Sequence, residues 1–160
     1  MRKGRGKEAK LCFGLHALTE NRNNLILDVA ISLADGTAER TTALQMLDRV
    51  HRRKRSTLGA DRGYDTKDFV QACKARGVSP HVVIHGGPRR KCNLDGRTLN
   101  SGGYKVSLRK RMAIEEVFGW MKSFGGLRRT RFKGRARTQM WAEMVASASN
   151  LLRMTRLVAA

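Results

Sequence analysis

The chain has 160 residues, 41% of them apolar, which is enough to fill one folded core. No run approaches the 18 apolar residues that span a membrane. Thirty-three Lys and Arg against 13 Asp and Glu leave a net charge of +20, a field that draws nucleic acid first and an anionic membrane second. No long stretch is basic on one helical face and strongly apolar on the other, so the membrane surface is set aside.

Met1 to Lys10 is a basic, glycine-broken lead-in without stable structure of its own. The apolar run Leu11–Leu18 behind it mimics a signal peptide only faintly. His16 interrupts it, no small-residue cleavage site follows, and Glu20 and Arg22 come next. Leu11–Leu18 reads instead as a short strand, and Asn21–Asn24 as a polar turn. Leu25, Leu27, Val29 and Ile31 alternate with Ile26, Asp28, Ala30 and Ser32, which predicts a second strand and an antiparallel hairpin. Thr37 is placed to cap a helix whose apolar face carries Ala43, Leu44, Leu47 and Val50, with a basic exit at His51–Arg55.

Thr57–Ala60 predicts a brief strand delivering Asp61, and Asp61–Asp65 a tight turn. A helix capped by Asp65 or Thr66 then turns Phe69, Val70 and Cys73 inward and stops at Gly77. Val78–Ile84 completes a parallel crossover. Residues 86–104 read as a loop-rich insertion with a basic cluster at Arg89, Arg90 and Lys91. The next helix, with Ser107 as its candidate cap, ends at Gly125–Gly126. A basic segment leads to a last amphipathic helix carrying Trp141, Met144, Val145, Ala148, Leu151 and Leu152. The whole reads as one domain, 1–160. Cys12, Cys73 and Cys92 are odd in number and widely spaced, which predicts free thiols in a cytoplasmic protein. His81, His85 and Cys92 could be drawn as zinc ligands, but no C-x-x-C pair accompanies them. Structural histidines at a strand end are the better reading.

Two regions point to chemistry. On a continuous helix Arg111, Lys122 and Glu115 fall at about 0°, 20° and 40° around the wheel. Glu115 then stands at the rim of an apolar arc formed by Phe118, Ile114, Met121, Val117, Phe124, Ala113 and Trp120. A carboxylate flanked by fixed cations suits phosphodiester chemistry on DNA. The plainer reading is an i, i+4 salt bridge worth a few tenths of a kcal/mol, which leaves Lys122 unexplained. Asp61 lies at the C-terminal end of a strand, where α/β folds carry functional side chains; its plainer reading is an Asp that opens a turn. Lys122, Arg128, Arg129, Arg131, Lys133, Arg135 and Arg137 put seven cations and no anion into one segment. Such a run repels itself without a partner, so phosphate-backbone binding accounts for it better than a solvated face does. Phe132 and Trp141 beside it are stacking surfaces or core, and helical spacing favours core for Trp141.

The strings Leu58-Gly59-Ala60-Asp61-Arg62-Gly63-Tyr64-Asp65-Thr66 and Ile114-Glu115-Glu116-Val117-Phe118-Gly119-Trp120-Met121-Lys122 resemble bacterial insertion-sequence transposases of the DDE type, in the insertion sequence five group. The resemblance continues through His16–Arg22, Gly36–Arg40, Asp95–Thr98 and Asn150–Arg153 and covers nearly the whole chain. It implies a ribonuclease-H-like α/β fold, a mixed sheet flanked by helices, acting in DNA transposition. Such enzymes use two Mg²⁺ (or Mn²⁺) ions between three carboxylates for hydrolysis and strand transfer at transposon ends. Asp61 matches the second carboxylate and Glu115 the third. Arg111 and Lys122 match the pattern Arg-x3-Glu-x6-Lys as phosphate-contacting groups. Leu108 stands where related groups carry tyrosine.

The family's first carboxylate lies on a strand before the segment that opens this sequence. The resemblance therefore implies a C-terminal catalytic portion with an incomplete sheet lacking its first strand. Asp28, the only acid in an early strand, matches the third strand of the family sheet. The chain is expected to be inactive alone, with an upstream transposase fragment or a second copy as partner, at the bacterial nucleoid. The alternative is a non-catalytic DNA-binding remnant that occupies transposon ends or interferes with an intact transposase. A basic structural nucleic-acid protein explains the charge but not the Arg111, Glu115 and Lys122 spacing.

Overall fold

The computed structural model describes residues 12–50, 56–84 and 92–159. The basic lead-in, the basic exit at 51–55, His85 and the cluster at Arg89, Arg90 and Lys91 lie outside the described residues. The chain divides into two compact units, Met1–Val50 with Ile114–Ala160, and His51–Ala113. Among the described residues each unit holds one two-stranded sheet flanked by helices, in keeping with the expected mixed α/β class.

In the first unit, β1 (Phe13–Thr19) and β2 (Ile26–Leu33) make the expected antiparallel hairpin, with His16 opposite Ala30. The turn is closed by the Glu20 carboxylate, which accepts from the backbone N–H groups of Arg22 at 2.7 Å, Asn23 at 2.5 Å and Leu25 at 3.3 Å. Asn24 takes φ 59° there, a conformation asparagine tolerates better than most side chains. Strict alternation along β2 fails. Ile26, Val29, Ala30 and Ile31 are all buried and Leu27 is exposed, because helices cover parts of both faces.

Helix α1 (Ala38–Arg49) packs on β1 and β2. Its N-terminus is capped by Asp35, not Thr37: Asp35 Oδ1 accepts from Thr37 N and Ala38 N, at 2.7 and 2.6 Å. Those bonds hold the Asp35 carboxyl below the usual carboxylate range. The buried face of α1 is Ala38, Thr42, Met46 and Leu47; Leu44, Ala43 and Val50 are only half-buried.

Helix α5 (Ala113–Ser123) supplies Val117 and Met121 to the core of this unit, and α6 (Arg135–Val158) supplies Ala142, Val145 and Ala146. The small residues of α6 face inward and allow close approach. At Gly125 an added Cβ would lie 2.3 Å from Val145 Cγ1, so only glycine fits where α5 ends. Phe124, expected in the buried arc, is 82% exposed because the helix ends one residue before it.

Two amides of α6 close the outer edge of β2. Asn150 accepts from Ile26 N and donates to Ile26 O, both at 2.8 Å. Gln139 accepts from Ile31 N at 2.7 Å and donates to Val29 O at 2.9 Å. Each amide supplies the donor and acceptor that a neighbouring strand would supply. Arg153 Nε adds a bond to Asn23 O in the hairpin turn. Replacement of Asn150 by leucine leaves two backbone groups of Ile26 unmet. The expected loss is about 2–4 kcal/mol of folding stability, read by urea denaturation with the slope unchanged; a loss under about 0.5 kcal/mol would remove the clamp from the account.

In the second unit, β3 (Ser56–Ala60) and β4 (Val78–Val82) are parallel, with Gly59 opposite His81, and α2 (Lys67–Ala75) crosses between them. Thr66 caps α2 by accepting from Phe69 N at 3.4 Å. Phe69, Val70 and Cys73 are buried, and Gly77 ends the connection at φ 68°. Burial pushes the Cys73 thiol up to about 11, leaving it a small inert core residue. The part of the 86–104 segment that is described contains a helical turn, α3 (Gly96–Leu99), and the start of α4 (Gly102–Lys110).

Ser101, not Ser107, caps α4, accepting from Tyr104 N at 3.1 Å. Ser107 is a buried residue inside that helix, 2.7 Å from His81 Nδ1, while Tyr104 Oη donates to Val82 O at 2.8 Å. His81 is thereby a satisfied structural histidine stacked edge-on against Tyr104, and burial lowers its basicity.

Candidate functional site

The sequence predicts one helix carrying Arg111, Glu115 and Lys122. The structure breaks that helix between α4 and α5: Arg111 and Met112 form a turn, with Met112 N donating to Arg109 O at 3.3 Å in a tightened last turn. No glycine or proline marks the break. Each half has its own contacts. Tyr104 and Ser107 bind α4 to β4, and Val117 and Met121 bind α5 to the hairpin unit. The wheel angles that grouped the three residues therefore do not apply.

What the structure brings together in the second unit is Asp61 and Arg111. Asp61 follows the last residue of β3 and opens a single 3₁₀ turn, Arg62–Tyr64. Arg111 Nη1 donates to Asp61 Oδ1 across 50 positions of sequence. The guanidinium is mostly covered (22% exposed) and the carboxylate is open (71% exposed), so the cation is fixed and the acid faces solvent. Arg111 Nε is buried without a hydrogen-bond partner among the described residues. Arg111 thus holds the candidate metal ligand directly. Beyond the turn, Asp65 accepts from Asn93 N at 3.2 Å and from Asn93 Nδ2 at 3.0 Å, which ties the end of the Asp61 turn to the segment leading into α3. Asp95 caps α3 through Thr98 N and receives Lys74 at 2.9 Å, and both interactions hold its carboxyl far below the usual range.

In the first unit, Glu115 lies in the first turn of α5, exposed and with no hydrogen bond or ion pair among the described residues. Lys122 lies in the last turn with its ammonium 5.2 Å from the centroid of the Phe118 ring. Arg128, Arg129, Arg131, Lys133, Arg135 and Arg137 are all exposed, and none has an acidic partner among the described residues. Phe132 packs against Trp141 at 5.9 Å between centroids, and Trp141 is half-buried against the core, as its spacing predicts. Asp28, the early acid, is committed to Arg49, which approaches its Oδ2 to 2.8 Å.

Asp61 and Glu115 are accessible carboxylates, the hard oxygen donors that Mg²⁺ or Mn²⁺ takes. Among the described residues no group of three His, Cys, Asp or Glu side chains assembles. No helix among the described residues is long and apolar enough to cross a membrane. Glu20, Asp35, Gln139 and Asn150 satisfy backbone groups, and of these only Asp35, three residues ahead of the helix start, carries a local sequence signal.

Comparison with curated proteins and with solved structures found no match. A family model described as a transposase DDE domain matches residues 2–151, from the lead-in to the anchored part of α6. By that match the chain belongs to the transposase DDE domain family.

Proposed function

We propose that the chain works in DNA transposition as a ribonuclease-H-like catalytic domain of the insertion sequence five group, hydrolysing phosphodiesters and transferring strands at transposon ends. The observation that carries this reading is the Arg111-held, solvent-facing Asp61 at the end of a parallel strand, in a chain of this family. Asp61 and Glu115 are the carboxylates that bind Mg²⁺ or Mn²⁺. The bound ions would polarise the attacking water or 3′-hydroxyl and stabilise the leaving oxygen. Arg111 fixes the orientation of Asp61 and offsets its charge, so the acid is set before DNA arrives. Lys122 and the cations from Arg128 to Arg137 grip the phosphate backbone.

A third carboxylate comes from a further strand, supplied by an upstream transposase segment or by another copy. The outer edge of β2 is filled by Gln139 and Asn150, whereas β1 has β2 as its single strand neighbour among the described residues. Asp28 does not take that role, being held by Arg49. Without the added strand the chain binds DNA and does not cut it. Divalent-ion-dependent cleavage of end DNA, lost on Glu115→Gln, tests the reading; cleavage indifferent to that change removes Glu115 from it.

The cations from Arg128 to Arg137, which have no acidic partner among the described residues, favour a second reading, a DNA-binding remnant in the bacterial nucleoid that occupies transposon ends or interferes with an intact transposase. Binding of that kind needs no metal and survives a chelator.

A further inference from the structure

Asp61 follows β3 and opens a single 3₁₀ turn, in which Tyr64 N donates to Asp61 O at 3.0 Å and Asp65 N donates to Arg62 O at 3.1 Å. Two holds reach this turn from elsewhere in its unit. Arg111 bonds the Asp61 carboxylate itself. Asn93 bonds the far end: its backbone N–H and its Nδ2 donate to Asp65 Oδ1 at 3.2 and 3.0 Å, and Nδ2 donates also to Asp65 O at 3.1 Å. Three bonds to one residue, two of them to a charged acceptor, fix its place as well as its direction. Asn93 is anchored in turn. Leu94, the next residue, is 7% exposed, and Asp95 caps α3 by accepting from Thr98 N at 2.7 Å.

We infer that Asn93 is a positioning residue for the ion-binding acid, keeping Asp61 in place through Asp65 and the turn between them. The inference rests on the reading that Asp61 binds a divalent ion. What separates the two holds is their response to that ion. Arg111 shares the carboxylate with it, and two cations at one carboxylate repel each other, so ion binding loosens the Arg111 hold. Asn93 bonds Asp65, not Asp61, and its grip does not compete with the ion.

Asp61 needs such a brace because little else fixes it. The β3–β4 ladder ends at Ala60 opposite Val82, one residue short of Asp61, whose side chain is 71% exposed. A metal ligand works only within about 0.5 Å of its productive place. In the middle of the turn the Tyr64 ring lies edge-on to buried Phe69, 5.0 Å between centroids. At its end, Asn93 supplies every hydrogen bond made to the Asp65 carboxylate among the described residues. A neighbouring contact offers a contrast. Lys74 meets Asp95 at 2.9 Å, with both side chains about half exposed, so it touches the same segment without touching the turn.

The test is backbone cleavage of the DNA-bound full chain by Fe²⁺ with ascorbate and peroxide, which cuts beside the bound ion. The readout is the Fe²⁺ concentration giving half-maximal cutting next to Asp61. Asn93→Ala and Asn93→Asp are each expected to raise it about tenfold, the scale on which groups supporting a metal ligand act. Asn93→Asp also brings a negative charge toward the ion, which by itself would lower that concentration, so a rise reports lost positioning. Adding Asp65→Asn to Asn93→Asp restores a donor opposite the carboxylate and returns the value to within about twofold of the parent, where Lys74→Ala also stays. An unchanged value in Asn93→Ala overturns the inference. So does a rise in Asn93→Asp that Asp65→Asn does not reverse, or an equal rise in Lys74→Ala, since either makes the segment a general support of the fold. Should Asn93→Ala lose its circular dichroism, Asn93→Asp with and without Asp65→Asn decides. Cutting that ignores Asp61→Asn is a different result, and it overturns the ion reading itself.

Discussion

Glu115→Gln and Asp61→Asn each lower metal-dependent cleavage of transposon-end DNA by about 10³-fold or more in any preparation that cleaves, while DNA affinity stays within twofold. Both changes keep side-chain volume and remove one anionic ligand. A thousandfold loss corresponds to about 4 kcal/mol of transition-state stabilisation, within what a catalytic ion supplies. Glu115 has no bonding partner among the described residues and Asp61 is 71% exposed, so both variants are expected to fold as the parent does. Arg111→Lys distinguishes holding from ligation: it keeps the charge but loses the planar fork that grips Asp61, and it reduces rate without abolishing metal dependence. The measurement is single-turnover cleavage in Mg²⁺ and Mn²⁺ with filter binding in parallel. Equal losses of cleavage and binding would assign the two acids to folding or docking instead of chemistry.

Neutralising the cationic segment has the second large effect. If Arg128, Arg129, Arg131, Lys133, Arg135 and Arg137 each contact one phosphate, log K falls against log salt with a slope of about −5, roughly a thousandfold loss between 50 and 200 mM. Replacement of Arg128, Arg129 and Arg131 by glutamine reduces that slope by about three and weakens binding to all sequences alike, because backbone contacts carry no sequence information. A flat salt response in the parent chain, or an unchanged slope in the triple variant, would move the docking surface elsewhere.

The crossover unit was legible in the sequence because its signals are local. Thr66 caps α2, the Phe69, Val70 and Cys73 spacing marks one face, and Gly77 takes a positive φ where the helix stops. The hairpin was legible for the same reason, although Glu20 and not the Asn-rich run does most of the closing. The failures are tertiary. From Tyr104 to Ser123 nothing in propensity forbids one helix; the break at Arg111 follows from Ser107 meeting His81 and Arg111 meeting Asp61, partners 26 and 50 positions away. In α6 the largest apolar residues were expected inside, but the contact with β2 selects small ones, and Met144 and Leu151 are left outside. Likewise Thr42 and Met46, not Leu44 and Val50, face the sheet from α1, since a threonine reads as polar until its neighbours are known. Asp61 and Glu115 themselves stood out in sequence by motif, while the hold of Arg111 on Asp61 needed the fold.

Iron-directed backbone cleavage tests the proposed binding of a divalent ion by Asp61 and Glu115 without knowledge of the end sequence. Fe²⁺ substituted for Mg²⁺ in the DNA-bound protein, with ascorbate and peroxide, generates radicals that cut the chain beside the bound ion. The account predicts cuts next to both Asp61 and Glu115, suppressed together by excess Mg²⁺ and by Asp61→Asn alone. Cuts at neither acid, or at Glu115 with no response to Asp61→Asn, would contradict it.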